Sequence, residues 1–396
     1  MIIAIDASRA NEEKKTGVGW YAYHIIEHFK HLSTLASEQS NTRQPVKVVL
    51  YSREKLKGEL AVLPANWESK VLKWAPKRFW TQIRLSCEMF LHSPDVLFIP
   101  AHVFPIIHPK KTVMTLHDIA AVKFPEAYNW FEKWYTIWSA KTALKRLWRI
   151  IVPSEFTKKE LISNFKFQIS NCNVVAHGYD ERYHKDITDT EMLEILKKYN
   201  IEKPYLLSIG RLEEKKNTVR IIKAFNQINQ KSEIKNLKLV LIGNRGFGYE
   251  KVEQEINKST YKNDIIALGW VNDEDLPALM RGADTFVFPS LYEGFGIPIL
   301  EALASGTPVV ASRASTSLSM TASQEIGGDA CEYVDPLKVD SIANGILRVI
   351  DNEGFPSEAD PSMSERLKII KKGKERVKNF SWKKCAEETW HILNYV

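Results

Sequence analysis

The sequence predicts an α/β protein built from two parallel-sheet domains. Three observations carry this. Short apolar runs alternate with longer amphipathic stretches, the pattern of strands joined by crossover helices. The alternation occurs once in each half of the chain. A length of 396 residues suits two cores better than one. In the first half the strand candidates are Ile2–Ala7, Val46–Tyr51, Val96–Pro100, Thr112–Leu116, Ile150–Pro153 and Val174–Ala176. In the second half they are Tyr205–Ile209, Leu237–Ile242, Ile265–Leu268, Thr285–Phe288, Pro308–Ser312 and Glu332–Val334. Helical stretches lie between them, such as Val219–Gln230 and Asp275–Arg281. The polar stretch Asp186–Pro204 suggests the boundary. It gives domains 1–190 and 191–379, with a last helix at about 380–396 returning to the first domain. Asp351–Ser364, rich in Asp, Glu, Pro, Ser and Gly, reads as a surface excursion, and Lys371-Lys372-Gly373-Lys374 as a solvated face.

A hydrophobic fraction of 44% with 26% charged residues excludes a disordered chain. Cys87, Cys172, Cys331 and Cys385 are far apart and show no metal spacing, which suggests a reducing compartment and buried thiols. The start, Met1-Ile2-Ile3-Ala4-Ile5-Asp6, becomes charged too early for a signal peptide. No apolar run is long enough to span a bilayer. Residues 1–190 hold 27 Lys+Arg against 19 Asp+Glu, a net +8, and residues 191–396 hold 28 against 29, a net −1. An acidic partner should therefore meet the first half. No nucleic-acid motif appears, which leaves an anionic membrane surface or a phosphate-bearing acceptor.

The most informative segment is Pro289-Ser290-Leu291-Tyr292-Glu293-Gly294-Phe295-Gly296-Ile297-Pro298-Ile299-Leu300-Glu301. It follows the apolar run Thr285–Phe288. Gly294 and Gly296 suit a tight loop, and Pro298 suits the start of a helix. Glu293 then lies in a loop at a strand's carboxyl end, and Glu301 in the first turns of a helix. The amides of such a loop suit an anion or a ring of hydroxyls.

This string resembles the retaining glycosyltransferases of family 4, whose two glutamates separated by seven residues match Glu293 and Glu301. Further segments carry the resemblance over nearly the whole chain. They are Gly210-Arg211-Leu212 with Lys216-Asn217, Leu268-Gly269-Trp270-Val271, Ala283-Asp284, Ala304–Val310, Thr16-Gly17-Val18-Gly19, Leu116-His117-Asp118 and Val152–Glu155. His177-Gly178-Tyr179-Asp180 resembles an Asn-Gly-Val-Asp motif with His in place of Asn. A tight Ser-Ser-Leu-Pro-Glu-Val-like segment is interrupted here, where Ser317-Leu318 is separated from Gln324-Glu325-Ile326. The resemblance implies the GT-B architecture, two Rossmann-like domains facing each other across a cleft.

It also implies roles. Arg211 and Lys216 would neutralise a nucleoside diphosphate leaving group without a metal. His117 would hydrogen-bond the donor sugar, with Asp118 orienting its loop. Glu293 would hold sugar hydroxyls or act as a nucleophile, and Glu301 the ribose. Val271, Gly294, Phe295, Gly296 and Ile297 would line the donor site, and Gly17 and Gly19 would admit acceptor and diphosphate to the backbone. His102 is a weaker acceptor-side candidate. Asp273-Glu274-Asp275 reads as helix capping rather than as a metal motif. No metal or other cofactor is expected.

Two segments mix aromatic and basic residues. Trp74-Ala75-Pro76-Lys77-Arg78-Phe79-Trp80 is one. Trp130, Trp134 and Trp138, with Lys141, Lys145, Arg146 and Arg149, form the other. Each fits a membrane interface, and the second equally fits a buried tryptophan face on a core helix. The expected activity is transfer of a hexosyl unit to a hydroxyl of a glycan or lipid-linked glycan in cell-surface polysaccharide synthesis. GDP-mannose is the expected donor, and UDP-sugars are the alternative. A nucleotide-sugar epimerase and a noncatalytic nucleotide-sugar-binding subunit are the rivals. The expected location is the cytoplasmic face of the cell membrane, without nucleic acid as partner.

Overall fold

The computed structural model describes residues 1–39, 46–75, 79–128, 130–166, 171–231, 234, 236–314, 320–350 and 361–394. The chain forms two compact units, Met1–Gly178 with Phe380–Val396, and Tyr179–Asn379. Each is a parallel sheet with helices.

The first unit's sheet contains β1 (Ile2–Asp6), β2 (Lys47–Ser52), β3 (Trp67–Val71), β4 (Val96–Ile99), β5 (Thr112–Thr115), β6 (Arg149–Val152) and β7 (Cys172–Val174), in the order β3-β2-β1-β4-β5-β6-β7. Every pairing is parallel, for example Ile3 with Val48 and Ile3 with Val96. Strands buried on both faces need unbroken apolar runs, which is why β1, β4, β5 and β6 are legible in the sequence. The sequence reading lacks β3. This strand alternates buried Trp67 with half-buried Glu68 and exposed Ser69, and Glu68 pairs with Lys47 across to β2 at 2.8 Å. It is the edge strand, with a single neighbour, and with only Trp67 buried neither of its faces demands an apolar run.

Helix α1 (Gly17–Gln39) follows β1, and α2 (Trp130–Arg146) lies between β5 and β6. Trp80 does not stand at a surface. It is 1% exposed, and its Nε1 donates to the Leu72 carbonyl at 2.8 Å. Lys77 and Arg78 lie outside the described residues.

The second unit's sheet contains β8 (Tyr205–Ile209), β9 (Lys238–Ile242), β10 (Ile265–Gly269), β11 (Thr285–Phe288), β12 (Val309–Ser312) and β13 (Glu332–Val334), in the order β10-β9-β8-β11-β12-β13. Its helices include α3 (Thr218–Lys231), α4 (Leu276–Gly282) and α5 (Ile297–Ala304). Asp275 precedes α4 but its side chain makes no cap there, contrary to the capping expectation. Instead its Oδ2 accepts from Lys198 Nζ and Tyr199 Oη, both at 2.6 Å.

The division falls at Gly178/Tyr179 and not at 190/191. Polar composition misplaces it, because the polar stretch contains a helix, Asp189–Lys198, opened by a Thr188–Glu191 capping box. Tyr183, ahead of that helix, is buried in the second unit. The last helix, α6 (Trp382–Asn394), belongs to the first unit and packs on α1. Trp382 stacks on His24 at 5.0 Å, and Trp390 meets Phe29 at 4.9 Å. None of the four cysteines is in a disulfide. Cys172 and Cys385 are buried, but Cys87 is exposed, against the expectation of buried thiols throughout.

Candidate active site

In an open parallel sheet, ligands bind beyond the strands' carboxyl ends where the strand order reverses. In the second unit that point lies between β8 and β11. The backbone there is drawn tight by glycines. Gly210 (φ +150°), Gly243 (φ +140°) and Gly269 (φ +68°) follow or end β8, β9 and β10. A Cβ on Gly243 would lie 2.0 Å from the Gly210 carbonyl oxygen, so only glycine fits.

The loop after β8 turns through a short 3-10 segment, Glu214–Lys216, ended by Asn217 at φ +63°. Asn217 is buried and fastens this loop to the one after β11. Its Nδ2 donates to the carbonyls of Pro289 at 3.0 Å and Pro336 at 2.7 Å. The Leu291 amide donates to the Lys215 carbonyl at 2.9 Å. These bonds bring Lys216 to Glu293, Nζ to Oε1 at 2.5 Å, with the ammonium 4.9 Å from the Phe288 ring centre. Arg211 does not join them. Its side chain is 68% exposed, and its charged neighbour is Glu213 at 3.9 Å.

Gly294 and Phe295 are buried, and Gly296 (φ +110°) turns the chain into α5, which begins at Ile297 with Pro298 next. The dipole of α5 therefore puts partial positive charge beside Glu293. Val271 is buried at 3% exposure. Glu301 sits in α5. Burial, and after it the Asp180 carboxylate, raises its carboxyl to about 8, with Arg182 opposing the rise and Asp273 adding to it. Arg182 is held by Asp180, Nη2 to Oδ2 at 2.6 Å. Arg182 escapes the sequence reading, since nothing local marks it. Asp284 lies ahead of β11, at the amino ends of the central strands and away from the site, where it accepts from the Tyr205 amide at 2.8 Å. Ser317 and Leu318 lie outside the described residues.

In the first unit the order reverses between β1 and β4. A cavity of about 270 Å³ opens there, lined among others by Asp6, Ser8, Arg9, Arg53, Thr81 and His102. Asp6 is buried, its carboxyl raised by that burial, and its Oδ1 accepts from the Ser8 amide at 2.9 Å. Of these residues sequence reasoning found only His102. Gly17 and Gly19 are not a loop but the start of α1. A Cβ on Gly17 would meet nothing within 4 Å, whereas one on Gly19 would lie 3.1 Å from the Arg9 carbonyl oxygen. Gly17 thus leaves open space, and Gly19 serves packing.

His117 follows β5, and both of its ring nitrogens are engaged inside the unit. Nε2 lies 3.1 Å from the Pro100 carbonyl oxygen and Nδ1 3.1 Å from His177 Nε2. A carbonyl only accepts, so Nε2 carries the proton and Nδ1 accepts from His177. Burial, then the neighbouring His102, lowers His117 to about 3, so it is neutral at physiological pH. Asp118 Oδ1 accepts from the Ala120 amide at 2.9 Å and fixes the loop. Among the described residues no group of three or more His, Cys, Asp or Glu is placed to hold a metal.

Two family models match the chain. "Glycosyl transferases group 1" matches residues 191–376, and "Glycosyltransferase Family 4" matches residues 16–183. The chain is 30% identical over 315 residues to the O-antigen chain mannosyltransferase B of Escherichia coli, covering 79% of this chain and 76% of that one. Its fold is similar to HepE of Anabaena, a structure in complex with UDP and glucose, at a TM-score of 0.71 and 16% identity, over 100% of this chain and 99% of that one. It is similar also to sucrose-phosphate synthase of Thermosynechococcus elongatus, at a TM-score of 0.70 and 18% identity, over 99% and 98%.

Proposed function

The chain belongs to the family 4 (group 1) glycosyltransferases and has their GT-B fold, and from that premise we propose that it transfers a mannosyl unit from GDP-mannose, with retention, to a hydroxyl of a glycan or lipid-linked glycan. The observation that carries this reading is the Lys216–Glu293 pair at 2.5 Å, held at the switch point of the second sheet beside the start of α5. A nucleotide sugar brings a diphosphate and a ring of hydroxyls. Lys216 and the α5 dipole offer charge for the first, and Glu293 offers acceptor oxygens for the second. Arg211, largely exposed on the same loop, would add its guanidinium as the diphosphate leaves. The leaving phosphate oxygen takes the acceptor's proton, so neither a general base nor a metal is needed. Glu301 would hold the ribose, and the cavity beside Asp6, Arg53 and His102 would take the acceptor. Mannose as the donor sugar is supported by the name of the 30% identical relative. A UDP-sugar is the second reading, favoured by the UDP and glucose in the similar HepE structure. The place of work in this reading is the cytoplasmic face of the membrane, in surface-polysaccharide assembly.

Thermal shift with a panel of GDP- and UDP-sugars tests the donor. A ligand at about 100 times its Kd adds about 2.7 kcal/mol of stability. GDP-mannose should give the largest shift, and a shift with UDP-sugars alone would select the second reading. Lys216→Ala should lower kcat/KM for transfer by roughly 2–4 kcal/mol, and EDTA should leave the wild-type rate intact. Near-normal transfer by Lys216→Ala would remove the site assignment.

A further inference from the structure

Helix α2 carries a feature that sugar transfer does not use. Its inner face is ordinary core, with Ala140, Ala143 and Leu144 buried. Its outer face is aromatic. Trp130 is 79% exposed and Trp134 55% exposed. With Ile137 and Trp138 they line an apolar groove of about 460 Å³ whose remaining lining residues are Lys133 and Lys141. The sequence left two readings of these tryptophans open, and exposure decides against the buried one for Trp130 and Trp134, while Trp138 is half-buried. The patch extends beyond the helix. Phe131 meets the half-exposed Phe79 at 5.9 Å, and Ile83, 43% exposed, follows Phe79 in the chain.

We propose that this face of α2 docks on an anionic phospholipid surface, with the tryptophans at headgroup depth and Lys133 and Lys141 on the phosphates. The proposal rests on the membrane location given above and supplies the surface for it. Charge supports the choice of occupant. The first unit holds 27 Lys+Arg against 17 Asp+Glu, a net +10, and the second 28 against 31, a net −3. A second copy laid on this face would set two +10 units against each other. A glycan is less suited because sugars stack on open ring faces, and Trp138 at the centre of the groove turns its faces to neighbouring rings. Trp134 and Trp138 stack at 6.2 Å and 15°, and Tyr135 and Trp138 at 5.9 Å and 29°. Indole edges with apolar bodies and lysines alongside suit a bilayer interface. No described helix is long and apolar enough to cross a membrane, so the contact is interfacial.

Sedimentation of the full chain with vesicles tests this, using phosphatidylcholine alone and phosphatidylcholine mixed with phosphatidylglycerol. The wild type should bind the anionic vesicles at low salt, and less strongly as salt rises. Lys133→Ala/Lys141→Ala should weaken binding about thirtyfold, from about 1 kcal/mol for each lysine. Trp130→Ala/Trp134→Ala should weaken it at least about tenfold and should remove the part that survives salt. Trp130, Trp134 and Lys141 are exposed and Lys133 is half-exposed, and circular dichroism of both variants should match the wild type. Absence of binding at low salt would overturn the proposal, as would binding unchanged in both variants. Self-association abolished by the tryptophan variant would assign the face to a second copy instead. The nucleotide-sugar thermal shift on the same samples separates the readings: a shift without vesicle binding rejects the docking surface and leaves sugar transfer standing.

Discussion

Glu301 shows how far a side chain's chemistry depends on neighbours that its own segment does not name. Its place on a helix after a Gly-Pro turn is legible in residues 294–301. Its protonation is not, because burial in the folded unit sets it first, and the charges that then tune it, Asp180 and Arg182, come from a segment far back in the chain. In the native protein it keeps its proton up to about 8, while in the unfolded chain it releases it near 4.5. Between those values the native state binds more protons, so stability falls as pH rises. The contribution is complete below the unfolded value and is lost as pH climbs through about 8. Relative to Glu301→Gln, the wild type should therefore lose several degrees of Tm between about pH 5 and about pH 8. A constant difference across that window would mean the carboxyl ionises normally. His117 teaches the same lesson. The strand end before it is readable, but not the His177 that binds its Nδ1.

The strands buried on both faces were readable because both faces demand apolar residues. The single-neighbour β3 was hidden, because alternation with Glu68 and Lys70 looks like a surface loop. The glycines at the ends of β8, β9 and β10 were visible as letters, but the demand behind them was not. That demand is the approach of Gly243 to Gly210. Gly243→Ala must strain both φ and the neighbouring carbonyl, and should cost about 3 kcal/mol in urea unfolding. Gly17→Ala meets open space and should stay within about 0.5 kcal/mol. If Gly17 faces substrate, the same variant should lose transfer activity at unchanged stability. Equal unfolding midpoints for the two variants would show that the contact at Gly243 relaxes without cost.

The division into two sheets and the imbalance of charge were both legible from composition. The crossing points were not, since polar residues mark surfaces as readily as boundaries. The chain passes between units at Gly178/Tyr179 and again at Asn379/Phe380. The second passage returns α6, with Cys385, Ala386 and Leu393 buried, to the first unit. A Cβ on Gly178 would lie 2.1 Å from the Trp382 amide nitrogen, so the return is closely fitted. Deleting residues 380–394 should remove the first unit's cooperative transition in calorimetry, because the loss of packing rivals a domain's entire stability of about 5–15 kcal/mol. The second unit's transition should remain, and two intact transitions would show α6 to be dispensable. The same return path orders events during synthesis. Residues 179–379 must all be translated before the segment that closes the first core exists. The unit begun first is therefore finished second, and until then the apolar flank of α1 around Phe29 depends on chaperones or on transient contacts for cover.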